Sequence, residues 1–183
     1  MNKTFKILIV TNSLILLAGA MLGPIYAVFV EENGGDVLDA SLIFSIFTLS
    51  AGITTIVSGR LADKLPHQKY LVIFGYTVIT LGYVCYTFVN NMNSLAIVQI
   101  IIGFGEAIYS PAFDSLISKH LDKDKEGTEW GIWEANYYFT TAIGAFLGGV
   151  IVKEFGFTTL FVVMAIVSSF SVVLLINKKV DGD

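Results

Sequence analysis

Glu106 lies about ten residues from either end of the otherwise apolar stretch 95–117. An ionisable side chain at that depth of a bilayer costs on the order of 2.5–3.5 kcal/mol, whereas each Ile, Leu, Val or Phe returns only about 0.3–0.6. The surrounding Ile, Leu, Val and Phe offset the penalty, so the stretch still inserts. A carboxyl group in mid-membrane is expected to carry a proton or to touch a polar or cationic solute. The plainer alternative is a protonated Glu hydrogen-bonded to a neighbouring helix. Gln99, Gly103, Tyr109 and Ser110 fall on adjoining strips of the same helix, which suits a polar cavity wall. Glu134 and Tyr137 complete the candidate set, Glu134 nearer the interface and equally suited to a surface role.

Other chemistry is thinly represented. His67 and His120 stand among charged loop residues and read as solvated, and Cys85, alone in an apolar run, offers no disulfide and no thiolate metal site. GFGEAI has the look of a phosphate-binding turn, but no strand precedes it and it lies in mid-membrane. There is no metal-ligand cluster, nucleophile elbow or general-base pair. An enzyme, a cofactor and a nucleic-acid partner are therefore not expected.

The elements that must position these residues follow from composition. Of 183 residues, 55% are hydrophobic and only 14% charged, which places the chain among membrane proteins. A spanning helix needs about 20 predominantly apolar residues. Stretches near 7–30, 40–59, 70–89, 95–117, 130–152 and 158–177 meet that length, so the expected fold class is all-α with six transmembrane helices in one bundle covering 1–183. Alternating six spans puts Lys3, Lys6, Arg60, Lys64, Lys69, Lys119, Lys123, Lys125, Lys178 and Lys179 on one side and Lys153 on the other. Both termini are then cytoplasmic, in a plasma membrane, with Tyr70, Trp130 and Trp133 as interfacial anchors. Ala18-Gly19-Ala20 could serve as a signal-peptide cleavage site, but the apolar run continues through Val30 and favours an uncleaved first span.

Small and polar residues mark which faces meet, because helices in lipid gain little from burying Leu against Leu. Ser41, Ser45, Thr48, Gly52, Thr55 and Gly59 form one stripe on span two; Glu134, Tyr137, Thr141, Gly144 and Gly148 form another on span five. The stripes either pack within one bundle or face a second bundle across a solute pathway. Spans three and six, with weaker stripes, are expected to face lipid. A faint symmetry relates Gly19, Gly23, Pro24 and Tyr26 of span one to Gly103, Gly105, Tyr109 and Pro111 of span four. Gly59 and Asp63 likewise match Gly148, Gly149 and Glu154, which implies an inverted three-plus-three repeat.

The loop GRLADKLPHQKY, residues 59–70, is the most specific motif. Its Gly59, Leu61, Ala62, Asp63 and Lys64, with Arg60 and Lys69 beside them, resemble the loop between helices two and three of major facilitator superfamily transporters. Pro66 replaces the family's usual Gly, and His67 and Gln68 replace basic residues. Gly103, Gly105, Pro111 and Ala112 resemble the family's fourth-helix pattern, with Gln99 in the place of its arginine. Gly144, Gly148 and Gly149 resemble an antiporter glycine motif, with Ala145 in the place of its proline, and Glu126 stands where an Arg is typical.

The resemblance implies one half of a major-facilitator-like fold, the N-terminal bundle. Such transporters rock two six-helix bundles about a midplane site, and six spans provide only one. The expectation is therefore a half-size secondary transporter working as a parallel homodimer in the lipid bilayer. It would move a small-molecule solute, with protons coupled through Glu106. Span two of one copy would pack on span five of the other through Ser45, Thr48, Gly52, Thr55, Thr141, Gly144 and Gly148. Asp63 would point at the span-five N-terminus near Trp130 and Gly131 of the partner copy. The alternatives are a half-transporter or fragment needing a different six-helix partner, and a scaffold that transports nothing.

Overall fold

Three of the described helices, those opening after Asn2, Asp36 and Asn91, start where a side chain accepts a backbone N–H that the first turn leaves unpaired. In the computed structural model, which describes residues 2–178 and 180, Asn2 caps α1 (Lys3–Leu22) by accepting from Thr4 N at 3.0 Å. Gly23–Ile25, with Pro24 inside, forms a single 3-10 turn before α2 (Tyr26–Glu32), so the first span bends at Pro24. Gly34, at φ 83°, then turns the chain. Reciprocal bonds of Asp36 and Asp39, at 2.9 and 3.0 Å, open α3 (Val37–Lys64). That helix ends because Pro66 bars its predecessor from helical geometry, and Leu65 is extended at φ −86°, ψ 130°. After α4 (Lys69–Tyr86), Asn91 and Ser94 form a second capping box that opens α5 (Met92–Lys119).

The last element, α6 (Glu126–Ile176), is 51 residues long. At 1.5 Å per residue that is about 75 Å, far beyond a hydrocarbon core of about 30 Å. Gly156, at φ 77° and ψ 171°, interrupts it, and the chain reverses there. Before Gly156, Asn136 meets Ser13, Gly144 meets Leu17 and Ala20, and Gly148 meets Met21. Beyond it, Phe157 and Phe161 meet Phe29, and Ser171 meets Thr11. The two parts of α6 thus run along the first span in opposite senses. Among the described residues, five elements are long and apolar enough to cross a membrane: Lys3–Glu32, α3, α4, α5 and α6.

Close approach of backbones sets the packing. α5 is central, lying between α3 and α4, while α1 packs mainly on α6. A Cβ on Gly103 would come within 2.6 Å of the Phe47 carbonyl oxygen in α3, and one on Gly75 within 2.6 Å of the Gly105 carbonyl oxygen in α5. Phe29, Tyr86, Phe157 and Phe161 interlock at the far end, with Tyr86 stacked on Phe161 at 4.8 Å between centroids.

Three expectations need correction. Gly144 and Gly148 are buried against α1 of their own bundle, where added Cβ atoms would strike the backbone at Leu17 and Met21. Their G-x-x-x-G spacing does admit a neighbouring backbone, but the neighbour is the first span. Trp130 and Gly131 are not at a helix N-terminus, because α6 begins at Glu126, a full turn earlier. Nor does α4 serve only as a lipid-facing helix: Tyr70, Phe74 and Leu81 are exposed, yet Tyr76, Tyr83 and Tyr86 are buried on the opposite side.

Candidate functional site

A cavity of about 460 Å³ opens among the helices. The first span lines it at its Pro24 bend, with Gly19, Gly23, Pro24 and Tyr26. α5 contributes Gln99, Ile102, Glu106 and Tyr109 at steps of three, four and three, which is one face of a helix. α4 contributes Ile79, Tyr83 and Tyr86, α3 contributes Phe44 and Phe47, and Tyr137, Thr141 and Met164 come from α6. Phe44 is 56% exposed and Tyr137 45%, so the cavity opens sideways between α3 and the first part of α6.

Among the described residues Glu106 is the one charged side chain in the lining, and the rest is largely aromatic and aliphatic. Among the described residues nothing forms an ion pair or hydrogen bond with it. The Tyr26 hydroxyl is directed at Gln99 without a hydrogen bond of full geometry. A half-buried carboxyl among seven Tyr and Phe rings of the described lining favours a cation with apolar surface: the carboxylate supplies charge and the rings supply cation–π contact. Among the described residues no group of three or more His, Cys, Asp or Glu could hold a metal ion.

The cavity therefore gathers Gln99, Glu106, Tyr109 and Tyr137 from the sequence-derived set, and Thr141 with them. Glu134 is exposed and lies outside the lining. Ser45, Thr48, Gly52 and Thr55 are exposed along α3, on the side where Phe44 borders the opening. Their hydroxyls donate to carbonyls of their own helix, as in Ser45 Oγ to Ser41 O at 2.8 Å and Thr55 Oγ1 to Ala51 O at 2.8 Å. In the charged loop, Arg60, Leu61, Asp63 and Lys64 are exposed and Gly59 is half-buried. Lys69 is only 7% exposed and reaches the end of α6, donating to Lys178 O at 2.8 Å. Gln68 donates to Ala62 O at 2.9 Å and accepts from Lys119 Nζ at 3.0 Å, joining the ends of α3 and α5.

Two polar arrangements escaped the sequence reading. Thr11, Asn12 and Ser13 each bond a different helix segment: Ser171 donates to Thr11 O at 2.6 Å, Asn12 donates to Tyr76 OH at 2.8 Å, and Ser13 donates to Asn136 Oδ1 at 2.7 Å. Successive residues point about 100° apart on a helix, so a polar triplet reaches three neighbours at one level. The signal was present as Thr-Asn-Ser inside an apolar run. The second arrangement is Ser58, which is buried and donates to Ala107 O. That carbonyl is free because Pro111, four residues on, has no N–H to give it.

Comparison with known proteins agrees with this architecture. The family model described as Major Facilitator Superfamily matches residues 8–181. An uncharacterised MFS-type transporter of Methanocaldococcus jannaschii is 26% identical over 85% of this chain and 40% of its own length. A multi-drug resistance efflux pump homologue of Lactococcus lactis is 29% identical over 84% of this chain and 38% of its own. Among solved structures, the POT family peptide transporter PepTSo superposes with a TM-score of 0.77 at 15% identity, over 96% of this chain and 37% of that one. That likeness concerns the fold alone. The chain thus spans about two fifths of the length of the curated relatives it matches.

Proposed function

Because the chain belongs to the major facilitator superfamily, a family of transporters and not of enzymes, we propose that it is part of a secondary transporter for a small, partly apolar cation. The observation that carries this reading is the cavity: one carboxyl, Glu106, in an aromatic lining that bears no basic group among the described residues. The multidrug efflux relatives support a solute of this kind. α6, reversing at Gly156, accounts for two crossings, which makes six in all, with both termini cytoplasmic and the halves related as an inverted three-plus-three repeat. Glu106 exchanges the solute for protons.

The sideways opening between Phe44 and Tyr137 requires a second bundle as its opposite wall. A second copy of this chain supplies that wall, α3 packing on the edge of α6 that carries Ala142, Ala145 and Gly149, the last with nothing within 4 Å. A second reading has a different six-helix half in that place, favoured by the coverage of only about two fifths of the relatives. Cysteines at Gly52 and Ala142 distinguish the two. Crosslinked pairs of this chain support the homodimer, and crosslinks to another protein or none at all refute it.

Transport is measured with ethidium as the probe cation in proteoliposomes carrying a pH gradient. Glu106→Gln, which keeps the shape and removes the charge, abolishes gradient-driven ethidium movement while leaving the protein folded. Unchanged transport would remove Glu106 from the mechanism, and activity of a protein shown to be monomeric would remove the second bundle.

A further inference from the structure

We propose that the cavity holds its solute at two points, a positive charge at Glu106 and, about 10 Å away beside the Pro24 bend, a neutral carboxamide at Gln99 and Tyr26. The first contact rests on the cation reading of Glu106 just given; the second is carried by its own residues.

Gln99 is 6% exposed and lines the cavity, and the Tyr26 hydroxyl, from the same lining, is buried without a hydrogen-bond partner. Among the described residues the Gln99 carboxamide makes no hydrogen bond of full geometry either. A buried polar group left unpaired is costly, so two of them on one cavity wall point to a guest that pairs them. A bond between the two would not satisfy both. A carboxamide has two N–H donors and a carbonyl with two lone pairs, and a phenol has one O–H. Whichever of them donates, an N–H and an acceptor oxygen remain for the cavity. A group that accepts from an N–H and donates to an oxygen from adjacent atoms fits what remains, and a second carboxamide is such a group.

The helix itself sets the distance between the two points. Gln99 and Glu106 stand seven residues apart on α5, and Pro111 comes only after both. At 1.5 Å per residue that is about 10 Å along one face of the helix. Ile102 lies between them, buried in the same lining and seated against Gly82 of α4. It gives the solute an apolar floor. Tyr26 belongs to the same end as Gln99, three residues before Phe29, which meets Tyr86 and Phe161 there. An extended chain covers about 3.5 Å in three bonds, so about nine bonds join the charged and the neutral group. A cavity of about 460 Å³ is of the size that encloses a drug-sized molecule, which lets one solute reach both points.

Any cation can use Glu106, but only one with this spacing also pairs Gln99. A site built to hydrogen-bond a polar group rejects an analogue that cannot reach it more sharply than an apolar pocket rejects a methylene.

The test compares two isomeric cations on the purified full chain in lipid nanodiscs, by isothermal calorimetry. In the first, eight methylenes join a trimethylammonium group to a terminal carboxamide. In the second, three methylenes join it to an amide whose nitrogen carries a pentyl group. Charge and composition are equal, and only the distance to the amide differs. The first isomer binds about tenfold tighter. Gln99→Leu brings the ratio to about one, and Tyr26→Phe, which keeps the ring, lowers it severalfold. Equal affinities in the wild type, or the wild-type ratio in either variant, overturn the proposal. Should Gln99→Leu fail to fold, Tyr26→Phe decides by the same ratio. Glu106→Gln separates the two contacts. If it weakens both isomers while their wild-type ratio is one, the amide site falls and the cation site stands. If it changes neither affinity while the tenfold ratio holds, the cation site falls and the amide site stands. Binding of neither isomer overturns both.

Discussion

Gly148→Ala is the substitution for which the structure gives the largest contrast with its neighbour. A Cβ at Gly148 would overlap the Met21 carbonyl oxygen and lie 2.6 Å from the Met21 carbonyl carbon, where ordinary contact begins near 3.4 Å. The obstacle is backbone, which cannot rotate away, so α1 and α6 must separate by roughly 1 Å. Overpacking of this kind costs about 1–3 kcal/mol. Separation also strains the Ser13–Asn136 and Ser171–Thr11 bonds, which span the same seam and are worth about 0.6 kcal/mol each in a membrane protein. The sum is a loss of about 2–4 kcal/mol, or roughly 5–15 °C in midpoint at 2–4 °C per kcal/mol for a chain of this size. Gly149→Ala is the control: with nothing within 4 Å it stays within about 0.5 kcal/mol of wild type. The assay is thermal unfolding in detergent followed by the fluorescence of Trp130 and Trp133, which lie on the first part of α6. If both variants melt with the wild type, or both fall equally, the backbone contact does not exist and Gly148 is free to face a partner.

Ser58→Ala should cost about 1–3 kcal/mol by leaving the buried Ala107 carbonyl without a donor; Pro111→Ala, which restores a backbone N–H four residues on, should recover much of that loss in the double variant, and additive losses would show that the two sites are unconnected. Gln68→Ala should loosen the adjoining ends of α3 and α5, since one side chain there joins Ala62 O to Lys119 Nζ. Hydrogen exchange at residues 62–70 should rise by about tenfold while the cavity residues stay protected, and uniform exchange across the chain would contradict it.

What could be seen in the sequence was local. Apolar length marked the membrane-crossing stretches, and the depth of Glu106 marked a polar lining that Gln99, Tyr109 and Tyr137 share. What could not be seen depends on register between helices. Helical periodicity puts Gly144 and Gly148 on one face but does not name the helix opposite, and a partner copy and the first span satisfy the same spacing. The Ser58 bond is hidden for the same reason: Pro111 advertises an unpaired carbonyl at Ala107, yet only the crossing of α3 over α5 decides which hydroxyl answers it. Thr11, Asn12 and Ser13 were visible as a polar triplet, but their three partners lie 160, 64 and 123 residues away.

The two kinds of helix face in this bundle have opposite hydrogen-bond habits, and the difference bears on movement. Across the seam between α1 and α6, side chains bond to the other helix and glycines let the backbones touch, so sliding by even one residue breaks specific contacts. Along the exposed stripe of α3, Ser41, Ser45, Thr48 and Thr55 donate to their own helix, four of them in succession, and Gly52 meets nothing within 4 Å. Such a face keeps its hydrogen bonds whatever lies against it. A bundle that rocks against a second wall needs one seam that holds its helices together and another whose contacts change without leaving polar groups unpaired. The α1–α6 seam has the properties of the first, and the α3 stripe has those that the proposed second wall would require.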